Sequence, residues 1–147
     1  MKTLWDKSTR EELSERVSML TPETLPRWGT LTARGMIAHL VDVLKMSTGE
    51  IKVTEHKLPI RFTPLKQFII YGPPFPKNSP TSPELIVRQA EDWDGECETF
   101  RKTMDEFAAH RRTRKFPRHP AFGELSPKTW GVFAYKHIDH HLKQFGV

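Results

Sequence analysis

Apolar residues recur at helical spacing in four segments of the chain, and stretches rich in proline or charge separate these segments. In the longest segment, steps of 4, 3, 4, 3, 4 and 3 connect Ile86, Ala90, Trp93, Cys97, Phe100, Met104 and Phe107. This spacing is that of one helix face packed against neighbouring helices. Ser82 and Pro83 are typical of a helix start, so we expect the helix to begin there. Cys97 lies on the apolar face, which indicates a small buried residue rather than a nucleophile.

The last segment, residues 126–147, also predicts a helix. Ser126 can cap its first free backbone amides, and Pro127 suits the first helical position because it has no amide hydrogen to lose. Steps of 4, 3, 4 and 3 then define one stripe along the helix: Trp130, Ala134, His137, His141 and Gln144. The upper part of this stripe is apolar and should face the core, whereas the lower part carries two imidazoles one turn apart.

Two further helices are predicted in the first third of the chain. Ser8 and Glu11 form a candidate capping box before the apolar stripe of residues 11–20. Thr32 begins the second helix, which runs to about Thr48 and stops at Gly49. His39 lies inside the apolar face of this helix, and Asp42, three residues further on, is close enough to be its neighbour.

Residues 50–83 form a long connection that contains seven prolines, which forbid a continuous helix. A short helix over residues 64–71 is still expected. Aromatic side chains of this connection either line a pocket or pack the loop onto the core; they are Phe62, Phe68, Tyr71 and Phe75. Four principal helices in 147 residues predict an all-α bundle formed by a single domain over residues 1–147.

The histidine pair of the last helix suggests a metal site. His137 and His141 project from one side of a helix, a known spacing for metal ligands, and His140 flanks them. Taken alone, such a pair arises more often by coincidence, and His39 could be a core histidine satisfied by one hydrogen bond. All three, however, lie on core-facing stripes, where unpartnered imidazoles are costly to desolvate. A shared ion would satisfy them together, and imidazoles suit Zn, Ni, Cu or Fe.

Two segments resemble the metal-binding motifs of the DinB/YfiT-like superfamily. PRWGTLTARGMIAHLVDVLKM is similar to its T-x-x-x-M-x-x-H segment, and KHIDHHLKQF is similar to its closing H-x-x-x-H-x-x-Q segment. The closing residues HPAFGELSPKTWGVFAYKHIDHHLKQFGV resemble a branch of that superfamily whose function is unknown. The element order is similar over nearly the whole chain, and the specific matches are confined to these two segments.

The resemblance implies an antiparallel four-helix bundle with a divalent ion, commonly Zn or Ni, on His39, His137 and His141. Some relatives are thiol-dependent S-transferases or isomerases, others resemble metal-dependent hydrolases, and relatives often pair as homodimers. The chain departs from the usual motif in two ways. A glycine after the basic position of the closing motif is absent, and His140 is an additional imidazole. Both departures concern the substrate pocket rather than the ligands.

Other polar residues near the predicted ligands have two interpretations. Asp42 or Asp139 could orient a ligand imidazole or could be a solvated surface group. Tyr135 and Gln144 are candidate polar contacts near the ion.

Charge and composition narrow the range of partners. The net charge of +5 derives largely from a run after the third long helix, comprising Arg111, Arg112, Arg114, Lys115 and Arg118. Cations stabilise helix C-termini, and this interpretation is favoured over a nucleic-acid patch.

No apolar run is long enough to span a bilayer, and the amino terminus lacks the apolar region of a secretory signal, which predicts a cytoplasmic protein. A single cysteine excludes an internal disulfide.

Two functions are therefore compatible with the sequence. In the first, the chain is a metal-dependent enzyme whose ion has open coordination positions. Water or a thiol of a small-molecule substrate would bind there, and the ion would lower the pKa of that bound group. In the second, the chain is a non-catalytic bundle, either stabilised by metal or acting as a basic binding module. The presence of an open coordination position distinguishes the two.

Overall fold

Helices form the regular part of the protein. The computed structural model describes residues 1–113 and 115–147, so Arg114 of the predicted basic run lies outside the described residues. Within these residues the protein is all-helical, as the apolar periodicity predicts, and contains no β-strand. The helices are α1 (Lys7–Ser18), α2 (Ala33–Thr48), α3 (Leu65–Tyr71), α4 (Trp93–His110) and α5 (Pro127–Gln144).

The two helices that carry the candidate ligands begin where the sequence predicts. The Thr32 hydroxyl accepts a hydrogen bond from the Gly35 amide at the start of α2. The Ser126 hydroxyl accepts one from the Thr129 amide at the start of α5. Each such cap contributes on the order of 1 kcal/mol. Gly49 then ends α2 with a φ of +89°, a conformation that glycine adopts without steric cost.

The predicted start of α1 was wrong. The helix begins at Lys7 rather than at Glu11, with Asp6 at the cap position. Ser8 therefore lies within the first turn and does not cap the helix. The Asp6 side chain makes no capping hydrogen bond, because its carboxylate accepts instead from the Thr3 hydroxyl at 2.8 Å.

The predicted start of α4 was also wrong. A 3₁₀ turn over Pro83–Leu85 replaces the expected first turns, and α4 begins only at Trp93. Asp92 caps the Gly95 amide, and a Cβ at this glycine would displace the Asp92 carboxylate, since it would lie 2.2 Å from one of its oxygens. Ile86 is 46% exposed, in keeping with its place outside the helix. We name residues 82–92 the strap.

The core lies between the long helices. α2 packs most extensively against α4, and α1 contacts both α4 and α5. The predicted apolar face of α4 is confirmed from Cys97 onward, because Cys97, Phe100, Met104 and Phe107 are all buried. Burial raises the pKa of the Cys97 thiol to about 11, so it stays protonated at neutral pH. The largest fully buried side chains include Trp130, Phe100, Phe107, Leu13, Met36 and Leu40.

The long connection is attached to α5 through its short helix. α3 packs on α5, and the Lys136 ammonium donates to the Ile69 carbonyl at 2.6 Å. The Tyr71 and Thr129 hydroxyls lie 3.0 Å apart, so one donates to the other. Two of the aromatic residues in this connection, Phe62 and Phe68, are 67% and 64% exposed and therefore line no pocket wall in this structure.

Candidate metal centre

Three histidines from two helices meet at one point between α2 and α5. His39 comes from α2, and His137 and His141 come from α5, one turn apart. One nitrogen from each ring lies within 4.8 Å of the others. The ring centroids are 4.7–5.1 Å apart, and the rings are mutually edge-on. The structure thus brings together the three residues that the sequence pattern selects.

The spacing of the nitrogens fits a divalent ion. His39 Nε2 and His137 Nε2 lie 3.3 Å apart. Two imidazole nitrogens on a tetrahedral zinc ion, each at about 2.0–2.1 Å, are separated by about 3.3 Å. A hydrogen bond from His137 Nε2 to His39 Nε2 would give the same separation. The convergence of the third imidazole, that of His141, is what a shared ion explains and a single hydrogen bond does not.

Two of the rings are oriented by acceptors on their outer sides. His39 Nδ1 lies 2.7 Å from the Leu85 carbonyl oxygen, and His141 Nδ1 lies 2.9 Å from Gln144 Oε1. Each of these oxygens accepts a hydrogen bond, so each Nδ1 carries the proton in a neutral ring. The Nε2 lone pairs of both rings are then free to bind an ion, which is the usual arrangement around metal-bound histidine.

His137 has an incomplete set of hydrogen bonds. Its Nδ1 is buried and has no hydrogen-bond partner among the described residues. The ring stacks on Phe133 at 5.7 Å with an interplanar angle of 14°, which fixes its plane. A buried polar atom without a partner costs about 1–3 kcal/mol. The fold therefore tolerates an unfavourable imidazole at this position.

The environment keeps all three imidazoles neutral. Burial lowers the pKa of His141 to about 3, and the nearby His39 contributes to the shift. Burial, followed by the effect of the other imidazoles, lowers the pKa of His137 well below its usual value. Burial also lowers the pKa of His39, partly opposed by its bond to the Leu85 carbonyl. Neutral imidazole is the form that binds metal, so no proton has to be displaced near pH 7.

The three histidines differ in burial. His39 is 1% exposed, whereas His137 and His141 are of intermediate burial. The two ligands that retain some solvent exposure both belong to α5.

Asp42 does not contact a ligand imidazole. Its carboxylate binds the Arg88 guanidinium in a bidentate pair, with Arg88 Nη2 at 2.8 Å and Nε at 3.0 Å. The same guanidinium also binds Glu96 on α4. These ion pairs raise the pKa of Arg88 further above its usual value. Asp42 thus anchors the strap, whose Leu85 carbonyl orients His39.

The remaining predicted neighbours divide between the centre and its surroundings. Gln144 contacts the site directly through His141, and its amide nitrogen also donates to the Trp28 carbonyl at 2.9 Å. The His140 ring lies 5.4 Å from the His141 ring, and faces Trp28 and Phe75 on its other side. Asp139 binds Arg16 and Lys143 instead of an imidazole.

Tyr135 does not join the three histidines. It lines a cleft on another face of α5, together with Asp139 and His140. Burial raises the pKa of its phenol, so the hydroxyl is protonated at neutral pH.

Sequence reasoning missed two groups that hold the site together. The Leu85 carbonyl is a backbone atom, which no residue pattern reveals, and it can reach His39 only because the strap is not helical. Arg88 was not a candidate either, because it lies off the apolar stripe of the predicted helix. The only available signal was the proline-rich run of residues 73–83 before the strap, which indicates irregular structure as readily as a helix start.

Two of the four described residues of the basic run are engaged within the protein. The Arg111 guanidinium lies over the Trp5 ring at 5.3 Å, next to the end of α4. Arg118 pairs with Glu55 at 2.9 Å and with Glu124 at 2.8 Å, and so joins two connecting segments.

Comparison with known proteins identifies a family but no characterised relative. A family model described as "Protein of unknown function (DUF1569)" matches residues 10–146. No curated protein and no solved structure matches the chain. Within the part of the chain that the structure describes, no helix is long and apolar enough to cross a membrane.

Proposed function

The chain belongs to the DUF1569 family of unknown function, and we propose that it is a divalent-metal-dependent enzyme. In this proposal His39, His137 and His141 hold the ion, and Zn or Ni is the metal. The observation that carries the proposal is the convergence of one nitrogen from each of the three imidazoles within 4.8 Å, which includes the 3.3 Å approach of His39 Nε2 to His137 Nε2. That approach is the separation expected of two ligands on one tetrahedral ion.

The donor set supports a catalytic rather than a purely structural ion. Structural zinc sites are closed by four protein ligands, whereas catalytic sites use three and leave a position open. The three histidines are the one group of clustered metal-ligating side chains among the described residues. When bound, the ion would supply Lewis acidity to an oxygen or sulfur atom of the substrate.

The residues around the ion have separate tasks in this proposal. The Leu85 carbonyl and Gln144 fix the proton of His39 and His141 on Nδ1. The Arg88–Asp42 pair holds the strap, and therefore Leu85, against α2. Phe133 holds the plane of His137 and excludes water from that side.

The resemblance to the DinB/YfiT-like superfamily extends the proposal to the architecture and the reaction. It supports an antiparallel four-helix bundle made of α1, α2, α4 and α5, with the connection of residues 50–83 as a long crossover. It also supports a thiol S-transferase or a hydrolase acting on a small molecule. We also propose that the protein is a homodimer and that it is cytoplasmic.

A cobalt-substituted protein tests whether a coordination position is open. We expect Co²⁺ bound to the protein to change its visible absorption spectrum when a small thiol such as 2-mercaptoethanol is added. A new thiolate-to-cobalt charge-transfer band should appear, because a three-histidine ion leaves room for a sulfur ligand. Titration of the band gives the affinity, and 2-methoxyethanol, which has no thiol, serves as the control.

A cobalt absorption spectrum that changes neither with the thiol nor with azide, a small anion that binds open metal positions, would contradict the enzymatic proposal. It would show an ion closed by a fourth protein ligand, and the metal-stabilised binding module would then be the better interpretation.

A further inference from the structure

A cleft of about 290 Å³ lies along α5, and the ligand histidines are not part of its lining. Its walls come from α5, from α3, from two connecting segments and from Met1. They include Trp28, Phe75, Val132, Tyr135, Lys136 and His140. Apolar atoms dominate the exposed lining. A volume at the lower end of ordinary ligand pockets suits a molecule of about one ring with a substituent.

Ammonium groups are placed over the aromatic walls of this cleft. Lys77 Nζ lies 4.7 Å from the centre of the Trp28 ring, and Lys136 Nζ lies 4.6 Å from the centre of the Phe75 ring. Cation–π contacts of this kind hold a lysine side chain in one position. The Lys136 ammonium also donates to the carbonyls of Ile69, Ile70 and Gly72, so of these two groups the Lys77 ammonium is the one available to a ligand.

The cleft carries more positive than negative charge. Lys77, Lys136 and Lys143 line it together with a single carboxylate, that of Asp139. Asp139 is already bound by Arg16 at 2.9 Å and by Lys143 at 2.7 Å. Lys77 forms no hydrogen bond or ion pair with any described residue. The cleft therefore offers cationic groups for which its own lining supplies too few anionic partners.

From this arrangement we propose that the cleft binds a small organic anion with an aromatic or aliphatic body and one carboxylate or phosphate group. The apolar body lies between Trp28 and Phe75, where it is removed from water. The anionic group lies at the rim, where it binds Lys77 and Lys143 through charge-assisted hydrogen bonds.

The position of His140 connects this cleft with the metal centre. Its ring contacts the cleft on one side and lies 5.4 Å from the His141 ring on the other. A molecule in the cleft is thus separated from the centre by one side chain. The binding of the anion therefore does not depend on the proposed function, and the inference goes beyond it.

Titration of isotope-labelled, metal-free protein by NMR tests the binding. The probes are benzoate and phenyl phosphate, with benzamide as the uncharged analogue of benzoate. We expect saturable shifts of the Trp28 indole, Val132 and His140 signals with at least one of the two anions, and about tenfold weaker binding of benzamide. The probe that binds more tightly shows whether the cleft prefers a carboxylate or a phosphate group.

Lysine variants locate the charge that is responsible. Lys77→Gln should weaken binding of the preferred anion about tenfold, in line with the loss of one charge-assisted hydrogen bond. The double variant with Lys143→Gln should weaken it further. Lys102→Gln, which alters an exposed lysine on α4 paired with Glu98, should bind as wild type does.

Three results would overturn the proposal. These are an absence of saturable shifts at the cleft with both anions, equal binding of benzamide, and unchanged affinity in the double variant. Because the titration uses metal-free protein, such a failure leaves the metal centre untouched. Conversely, wild-type protein that takes up neither Zn²⁺ nor Ni²⁺ but still binds the preferred anion would fail the proposed function alone.

Discussion

Replacing His137 by leucine is expected to abolish tight metal binding while leaving the metal-free protein at least as stable as wild type. The imidazole would provide one of three protein ligands. Structural zinc sites gain about 10–16 kcal/mol from four ligands, so the loss of one should weaken binding by roughly 100-fold to 1,000-fold. Leucine has a similar volume and removes the buried Nδ1 that lacks a partner. This gain of about 1–3 kcal/mol outweighs the loss of the contact between His137 Nε2 and His39 Nε2, which contributes about 0.5–1.5 kcal/mol.

Two measurements on the same protein check this prediction. Competition with a chromophoric chelator gives the metal affinity, and urea unfolding of the metal-free protein gives the free energy of unfolding. His56→Leu alters a histidine outside the centre and should keep wild-type affinity. A metal-free His137→Leu protein about 2 kcal/mol less stable than wild type, with unchanged zinc affinity, would mean that His137 is a core histidine only.

Replacing Gln144 by leucine is expected to lower metal affinity by about 10–100-fold, the usual effect of removing an acceptor behind a metal-bound histidine. Gln144 Oε1 accepts from His141 Nδ1 and so keeps the Nε2 lone pair turned towards the ion. Without this acceptor, His141 can adopt the other tautomer or rotate. Gln144 is a positioning residue, because its amide touches the imidazole and not the ion.

Gln144→Glu provides the matched control. Both variants lose the hydrogen bond from the Gln144 amide nitrogen to the Trp28 carbonyl, but only leucine also loses the acceptor for His141. We expect glutamate to restore most of the affinity, and the nitrogen chemical shifts of His141 to show Nδ1 protonated in wild type and in Gln144→Glu. Equal loss of affinity in both variants would mean that Gln144 acts through Trp28 and not through His141.

The helices that carry the ligands could be predicted from the sequence because their boundaries are set by local chemistry. Thr32, Ser126 and Gly49 act on backbone groups within three residues of themselves, so no tertiary information is required. The α4 helix shows the limit of this reasoning. Its apolar spacing continues upstream through Ile86 and Ala90, but Arg88 and Arg34 fasten that stretch to α2 as an irregular strap.

In the candidate site, too, local features could be predicted from the sequence and long-range contacts could not. His39, His137 and His141 could be selected because their helical faces are visible in the sequence. The roles of Asp42 and Asp139 could not be assigned, since both carboxylates bind arginines that are distant in the chain, 46 and 123 residues away. The Leu85 carbonyl could be identified as the acceptor for His39 only from the backbone path of the strap.

Elemental analysis of the untagged protein by mass spectrometry tests the central claim most directly. We predict close to one zinc or nickel ion per chain in wild type, and loss of this metal in both His39→Ala and His137→Ala. Wild-type protein that contains no metal, and that takes up neither Zn²⁺ nor Ni²⁺ when these are added, would contradict the claim that the three histidines form a metal centre.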